Sequence, residues 1–389
     1  MNSSRRDRAQ DVEIVHVIRD VHPYGGIAGV AYFVHEAMRR QHVRSSVQTL
    51  ESITGFLRLT PVRPETTIWA KVYNLLLMIV HSFAGTIAIR ARRRPSRVFI
   101  VHNDAIGGDI YVDHGCHKAV VKQRPSMMLR NPVHLFLLLR EELRHILGGY
   151  RRVVVLSEMS KRVFEQQYPR VPRSKYVRIP NGVDIARFSL EHRTPETPGA
   201  LNLVFVGHEF ERKGLSYILE AMTDLPERVR LTVVGGTEHL TASARRTARK
   251  LGIAERVDFL GKRTDVPDIL AASDAMIMAS RYEACQLVAV EGMACGLPLL
   301  STPVGCAEEI IEDGVTGYLI ERDARDIAKK VTTLLEKGEG IEAMRLAARQ
   351  TAERYSWDRI AEQYVALARH VAAERTPAGR DPAGRHTSG

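Results

Sequence analysis

The chain is poor in cysteine and in aromatic residues, with four Cys (Cys116, Cys285, Cys295, Cys306) and 6% Phe, Trp and Tyr among 389 residues. No two cysteines have C-x-x-C spacing and no His/Cys group has zinc-ligand spacing, which excludes a disulfide scaffold and a zinc module and points to a reducing cytosol. Long apolar runs are scarce as well. The borderline stretch, Asn74 to Ile89, is broken by His81, Ser82 and Thr86 and is shorter than the roughly 20 residues that span a bilayer. A buried helix of a globular domain is expected there. The Arg5-Arg6 pair has no apolar segment behind it and reads as no export signal.

What is present fits a soluble globular protein of two or three domains: 44% hydrophobic and 26% charged residues. The net charge of +11 is unevenly placed. Residues 1–190 hold 30 Lys and Arg against 15 Asp and Glu, whereas the rest holds 26 against 30. A basic front half on a slightly acidic back half directs only the front towards an acidic partner, such as an anionic membrane surface, a phosphorylated lipid or nucleic acid.

Hydrophobic patterning alternates short β-rich runs with helical stretches. Strands are expected at Glu13–Ile18, Ser46–Leu50, Arg97–Val101, Arg152–Leu156 and Lys175–Ile179, with helices at Gly26–Arg40, around Thr67–Arg90 and through Leu135–Leu139 between them. The stretch 191–200, with Pro195, Pro198 and Gly199, reads as a linker. Beyond it the alternation restarts, with strands at Leu203–Val206, Arg230–Val234, Arg256–Phe259, Ala275–Met278 and Pro298–Ser301. Two parallel α/β domains follow, 1–190 and 201–355, with ligand expected in the cleft between them. A C-terminal helix at 356–374 and a disordered tail at 375–389 complete the plan.

Chemistry concentrates where strands end. Ser280 to Pro298 leaves a strand and enters a helix, and seven residues separate Glu283 from Glu291. With Glu283 in the loop and Glu291 on the helix, the two can border one ligand from different sides, and the loop's amides can meet a diphosphate. Leu203 to Gly214 is a strand, a loop and a helix start that carries the adjacent cations Arg212 and Lys213. Val234-Gly235-Gly236 ends the next strand without bulk, and Ile179 to Asp184 forms a turn at the end of the first domain.

In their order and spacing these stretches, with Val153–Lys161, Arg256–Gly261, Gly305–Glu309 and Asp313–Gly317, resemble the retaining glycosyltransferases of family 4 (glycosyltransferase group 1). The resemblance covers about residues 12 to 372. It implies the GT-B fold, two Rossmann-like domains facing each other across a cleft, and transfer of a sugar from a nucleoside diphosphate sugar to an acceptor; the basic front half, with basic and apolar residues interleaved at 89–97 and 127–152, makes a lipid-linked or cell-envelope glycan the expected acceptor. By position, Lys213 and Arg212 would bind the donor diphosphate, Glu291 the ribose, and Glu283 with the amides after it the donor sugar; Gly207, Gly235, Leu287 and Val288 line the same donor site. Gly25 and Gly26 would form the flexible loop near diphosphate and acceptor, and His114 would lie near the donor sugar.

Two residues depart from the family pattern. His208 stands where an arginine is common, so the cationic role passes to Arg212, and Gln286 stands where a glycine is usual. No D-x-D occurs, so neither a metal nor any cofactor beyond the sugar nucleotide is expected. Peripheral contact with an anionic membrane from the cytoplasm is expected, and nucleic acid is not. The rivals are a dinucleotide-dependent oxidoreductase, which would use Gly25-Gly26-x-x-Gly29 but explains nothing after residue 190, a GT-B epimerase, and a catalytically silent membrane- or partner-binding protein.

Overall fold

Runs of Val, Ile and Leu that bury both faces become short parallel strands joined by helical crossovers, because parallel neighbours need a long connection back across the sheet. In the computed structural model, residues 12–23, 26–49, 52, 55, 67–123, 132–147, 149–190 and 200–375 are described. Six strands form the first sheet: β1 (Glu13–Ile18), β2 (Ser45–Thr49), β3 (Arg97–His102), β4 (Ile110–Val112), β5 (Arg152–Val155) and β6 (Tyr176–Arg178). Their order is β2-β1-β3-β4-β5-β6, parallel throughout.

The second sheet has β7 (Leu201–Val206), β8 (Val229–Val234), β9 (Val257–Gly261), β10 (Ala275–Met278), β11 (Leu299–Ser301) and β12 (Gly317–Leu319). Its order, β12-β11-β10-β7-β8-β9, is that of a doubly wound Rossmann sheet and is again parallel. The expected strands are all present within a residue or two. β4 and β12 were not anticipated, since three residues carry no readable period.

The chain divides into two compact units, one of 1–155, 160–179 and 358–389, the other of 156–159 and 180–357. The first boundary therefore falls at Ile179, ahead of residue 190, and the C-terminal helix Trp357–Ala373, expected as an element of its own, groups almost entirely with the first unit. Arg40 holds Asp358 at 2.7 Å, Arg152 contacts Glu374, and Arg375 contacts the buried Asp109. The expected linker 191–199 and tail 376–389 lie outside the described residues.

One expectation is corrected. The Ile68–Ala91 helix is not a buried helix: a face formed by Trp69, Tyr73, Leu76, Val80, Phe83 and Ile87 is exposed, Trp69 by 79% and Ile87 by 67%. The residues that interrupt the apolar run, His81, Ser82 and Thr86, point inward together with Ala70, Leu77 and Ile89. The Ser82 hydroxyl donates to the Asp104 carbonyl at 2.8 Å, and the Thr86 hydroxyl accepts from the amides of Ile106 and Gly107 at 3.0 and 3.2 Å. The loop after β3 must satisfy its buried backbone, and it does so through this helix, whose opposite face keeps a row of apolar residues exposed.

The Pro132–Leu147 helix repeats the inversion. Arg140, Glu141 and Arg144 are buried, and Arg144 donates to the carbonyls of Asn103 and Ala105, while Leu135, Leu139, Ile146 and Leu147 are exposed. Arg140 reaches the Ser82 hydroxyl at 3.4 Å, so the two helices are neighbours.

Candidate functional site

In doubly wound sheets ligands bind beyond the carboxyl ends of the strands, where the strand order reverses. In the second sheet that point lies between β7 and β10. Both loops that leave these strands carry the charged residues singled out above. After β7, Gly207 is followed by a loop to the Leu215–Ala221 helix; after β10, Ser280 and Glu283 precede the Leu287–Ala294 helix.

The two loops are joined through one carboxylate. Glu283 Oε1 lies 3.0 Å from Arg212 Nη1 and 3.2 Å from Lys213 Nζ, and it accepts from the Ser280 hydroxyl at 3.1 Å. Lys213 and Glu283 are largely enclosed, so the ion pair is screened less than one at the surface. Arg212 also binds Glu209 at 2.7 Å, and although burial works against its charge, the Glu283 and Glu209 carboxylates hold its pKa above the ordinary value.

Glycine is required at two points here. A Cβ on Gly207 would lie 2.2 Å from Cδ of Lys213, so only glycine lets the lysine stem pass over the end of β7. Gly235, at φ +103°, ends β8 so close that a Cβ would lie 2.3 Å from the Gly207 carbonyl oxygen.

Glu291 lies half-buried on the Leu287–Ala294 helix. Burial pushes its pKa up to about 7, against the pull of Arg187 and Lys213. Arg187 was not singled out from the sequence. Its placement comes from the turn that was: the Asp184 carboxylate accepts from the amides of Ala186 and Arg187 at 3.1 and 3.0 Å. Ser280 was likewise missed as a partner, though it directly follows a strand end.

Leu287 and Val288 form the first turn of their helix. The preceding Gln286 makes no side-chain cap and instead directs its amide towards the Ser301 hydroxyl at 3.5 Å. This leaves the first-turn amides without a cap from that side chain, an arrangement suited to an anion. At Gln286 φ is −77° and ψ 99°, a conformation open to any residue, so glycine is not needed there. His208 is exposed, and the cation of this loop that meets Glu283 alongside Lys213 is Arg212.

In the first unit, His114 follows β4, half-buried, with its Nε2 3.2 Å from Nδ1 of His102. Gly26 opens the Gly26–Arg40 helix at φ +63°, and Gly25 lies outside the described residues. Among the described residues no group of three or more His, Cys, Asp or Glu side chains could hold a metal.

A D-inositol 3-phosphate glycosyltransferase of Geodermatophilus obscurus is 32% identical over 245 residues, 57% of this chain and 53% of that protein. The chain spans about half the length of the curated relatives it matches. Among solved structures, WaaG, a glycosyltransferase involved in lipopolysaccharide biosynthesis, superposes with a TM-score of 0.68 at 18% identity, covering 91% of this chain and 99% of WaaG. Anabaena HepE in complex with UDP-glucose gives 0.64 at 19% identity, covering 91% and 98%. Residues 200–337 match the family described as Glycosyl transferases group 1. The second unit thus contains a Glycosyl transferases group 1 domain, in a chain whose two Rossmann-like units have the GT-B fold.

Proposed function

We propose that the protein is a retaining, metal-independent glycosyltransferase that takes a sugar from a nucleoside diphosphate sugar. The observation that carries this reading is the meeting of Arg212 and Lys213 on Glu283 at the switch point of the second sheet. As the glycosidic bond breaks, negative charge grows on the departing diphosphate. Two fixed cations and the amides of Leu287 and Val288 stabilise that charge without having to reorganise. Glu291 accepts from the ribose hydroxyls, Glu283 contacts the donor sugar while orienting both cations, and His114 contacts the sugar from the first unit. The acceptor attacks from the face the diphosphate leaves, its proton passing to the leaving phosphate, which retains the anomeric configuration.

The test is release of nucleoside diphosphate from a panel of sugar nucleotides that begins with UDP-glucose, with product configuration read by proton NMR. Turnover should persist in excess EDTA. Activity abolished by EDTA and restored by magnesium would overturn metal independence, and absence of turnover with every donor and acceptor tried, despite saturable nucleotide binding, would favour a silent GT-B protein.

The acceptor is proposed to be lipid-linked or part of an envelope glycan, reached by docking of the first unit on an anionic membrane from the cytoplasmic side. The support is the outward apolar face of the Ile68–Ala91 and Pro132–Leu147 helices. An exposed apolar surface of this kind marks an interaction site. Basic residues follow both helices: Arg93 lines, with Arg151, Arg152, Lys175 and Glu374, a cavity of about 470 Å³. Each Lys or Arg near an anionic leaflet adds about 1 kcal/mol of attraction.

A further inference from the structure

Three histidines from distant parts of the chain form a continuous row in the first unit. His16 Nδ1 lies 3.1 Å from His102 Nε2, and His102 Nδ1 lies 3.2 Å from His114 Nε2; successive rings are inclined by 24° and 28°. Sheet register builds the row. His16 of β1 pairs with Ile100, two residues before His102 of β3, and His102 pairs with Val112 of β4, two residues before His114. Each step thus moves one strand across and two residues along on one face of the sheet. The row starts at the β1/β3 switch point of this sheet, with His16 and His102 fully buried and His114 at its partly exposed end.

A neutral imidazole has one N–H and one bare nitrogen. Burial holds all three rings neutral, lowering His16 to about 3, His114 to about 4 and His102 well below its ordinary value, the last with help from its two histidine neighbours. His102 therefore donates to one neighbour and accepts from the other, and both hydrogen bonds must run in the same direction. His16 Nε2 decides which. It is buried without a hydrogen-bond partner among the described residues. An inward row would leave it an orphaned N–H, whereas an outward row leaves it only an unused lone pair. Buried N–H groups without acceptors are the rarer of the two defects. His35, whose ring centroid is 6.3 Å from that of His16, is engaged with the Ser45 hydroxyl at 2.8 Å.

We propose that His16 and His102 are positioning residues that lock His114 as its Nδ1–H tautomer, so that its partly exposed ring presents a fixed hydrogen-bond donor to the substrate. The row engages Nε2 of His114 as an acceptor and leaves Nδ1 as its donor. A neutral donor suits a sugar hydroxyl and excludes a role as general base through that nitrogen. The inference rests on the reading of His114 as a residue of the transfer site, and the two can fail separately.

The test uses full-length protein labelled with ¹⁵N-histidine, with His114 assigned by its loss in His114→Asn, and compares wild type with His102→Phe and His102→Gln. Wild type should show His114 protonated at Nδ1 and bare at Nε2. His102→Phe should release His114 to the Nε2–H form and lower kcat by roughly 10- to 100-fold, approaching the loss of one preorganised donor. KM for the sugar nucleotide should stay within about twofold. His102→Gln keeps a donor and an acceptor and should restore most of both signals. A bare Nδ1 in wild type, or an unchanged tautomer in His102→Phe, overturns the proposal. A switched tautomer with unchanged turnover upholds the row and removes His114 from the transfer site.

Discussion

In the second unit the charged residues come from two loops, one carrying Arg212 and Lys213, the other Glu283 and leading into the helix that carries Glu291. In the first unit the reactive groups arrive singly, at positions 16, 102 and 114, and are neutral where the others are charged. The contrast shows two ways of fixing chemistry at the end of a parallel sheet. Opposite charges on neighbouring loops attract one another and need only short signatures, a glycine for clearance and a strand end for direction. A row of neutral imidazoles has no such attraction, and it depends on register between three strands and on a dry environment that keeps each ring uncharged.

The largest expected effect breaks the charged side of that contrast. Replacing Arg212 and Lys213 together by alanine should lower turnover by roughly 100-fold or more while circular dichroism stays that of wild type. Glu283→Gln should also depress turnover, because the cations lose the carboxylate that aims them. Near-normal release of nucleoside diphosphate by the double variant would mean that the cluster only braces the loops.

A smaller effect concerns what the first unit presents outward. Leu76→Ser, Phe83→Ser and Ile87→Ser combined remove apolar surface from the exposed face of the Ile68–Ala91 helix. Flotation with vesicles containing anionic lipid should fall by at least roughly tenfold, since withdrawing even one such side chain from water contributes about 1.5–3 kcal/mol. Turnover on a soluble acceptor should be unchanged. Wild-type protein that floats equally with neutral and anionic vesicles, or not at all at low salt, would remove the membrane from the account. The whole chain is needed, because residues 1–190 lack the C-terminal helix that belongs to this unit.

The smallest effect is on stability. Glu291 is the charged-site residue that most resembles the buried imidazoles, since burial raises its pKa from 4.5 to about 7. An acid raised in the folded state favours folding when protonated, and that contribution is lost as pH rises from about 4.5 through about 7. Glu291→Gln should therefore match wild type in thermal melts near pH 4.5 and exceed it by a few degrees at pH 8. The same variant should bind nucleotide more weakly, as a ribose contact exists in ground and transition states alike. A lower melting temperature at pH 8 would show that the ionised carboxylate is stabilised by Arg187 and Lys213 after all.

Much of the charged cluster of the second unit was legible in the sequence because its signals are local. The Gly207 to Gly214 loop and the Glu283 to Glu291 spacing each lie within a dozen residues, and strand-to-helix transitions place them at the sheet's carboxyl edge. The role of Ser280 and the pull of Arg187 on Glu291 were not legible. They depend on which atoms a turn brings near, and no periodicity records that.

The apolar Asn74–Ile89 run shows the limit more sharply. Composition determined that a helix would form there, and only tertiary structure decided which side it would bury. Ser82 and Thr86 turn inward because a loop thirty residues or fewer away in sequence has backbone groups to satisfy, and the face that carries Trp69, Leu76, Phe83 and Ile87 then points the other way. The sequence by itself determined two parallel sheets, ten of their twelve strands and the charged loops at the second sheet's edge, because these follow from patterns within a few residues. The imidazole row and the outward apolar face were decided by tertiary structure alone, because hydrogen bonds and burial are settled between residues far apart in the chain.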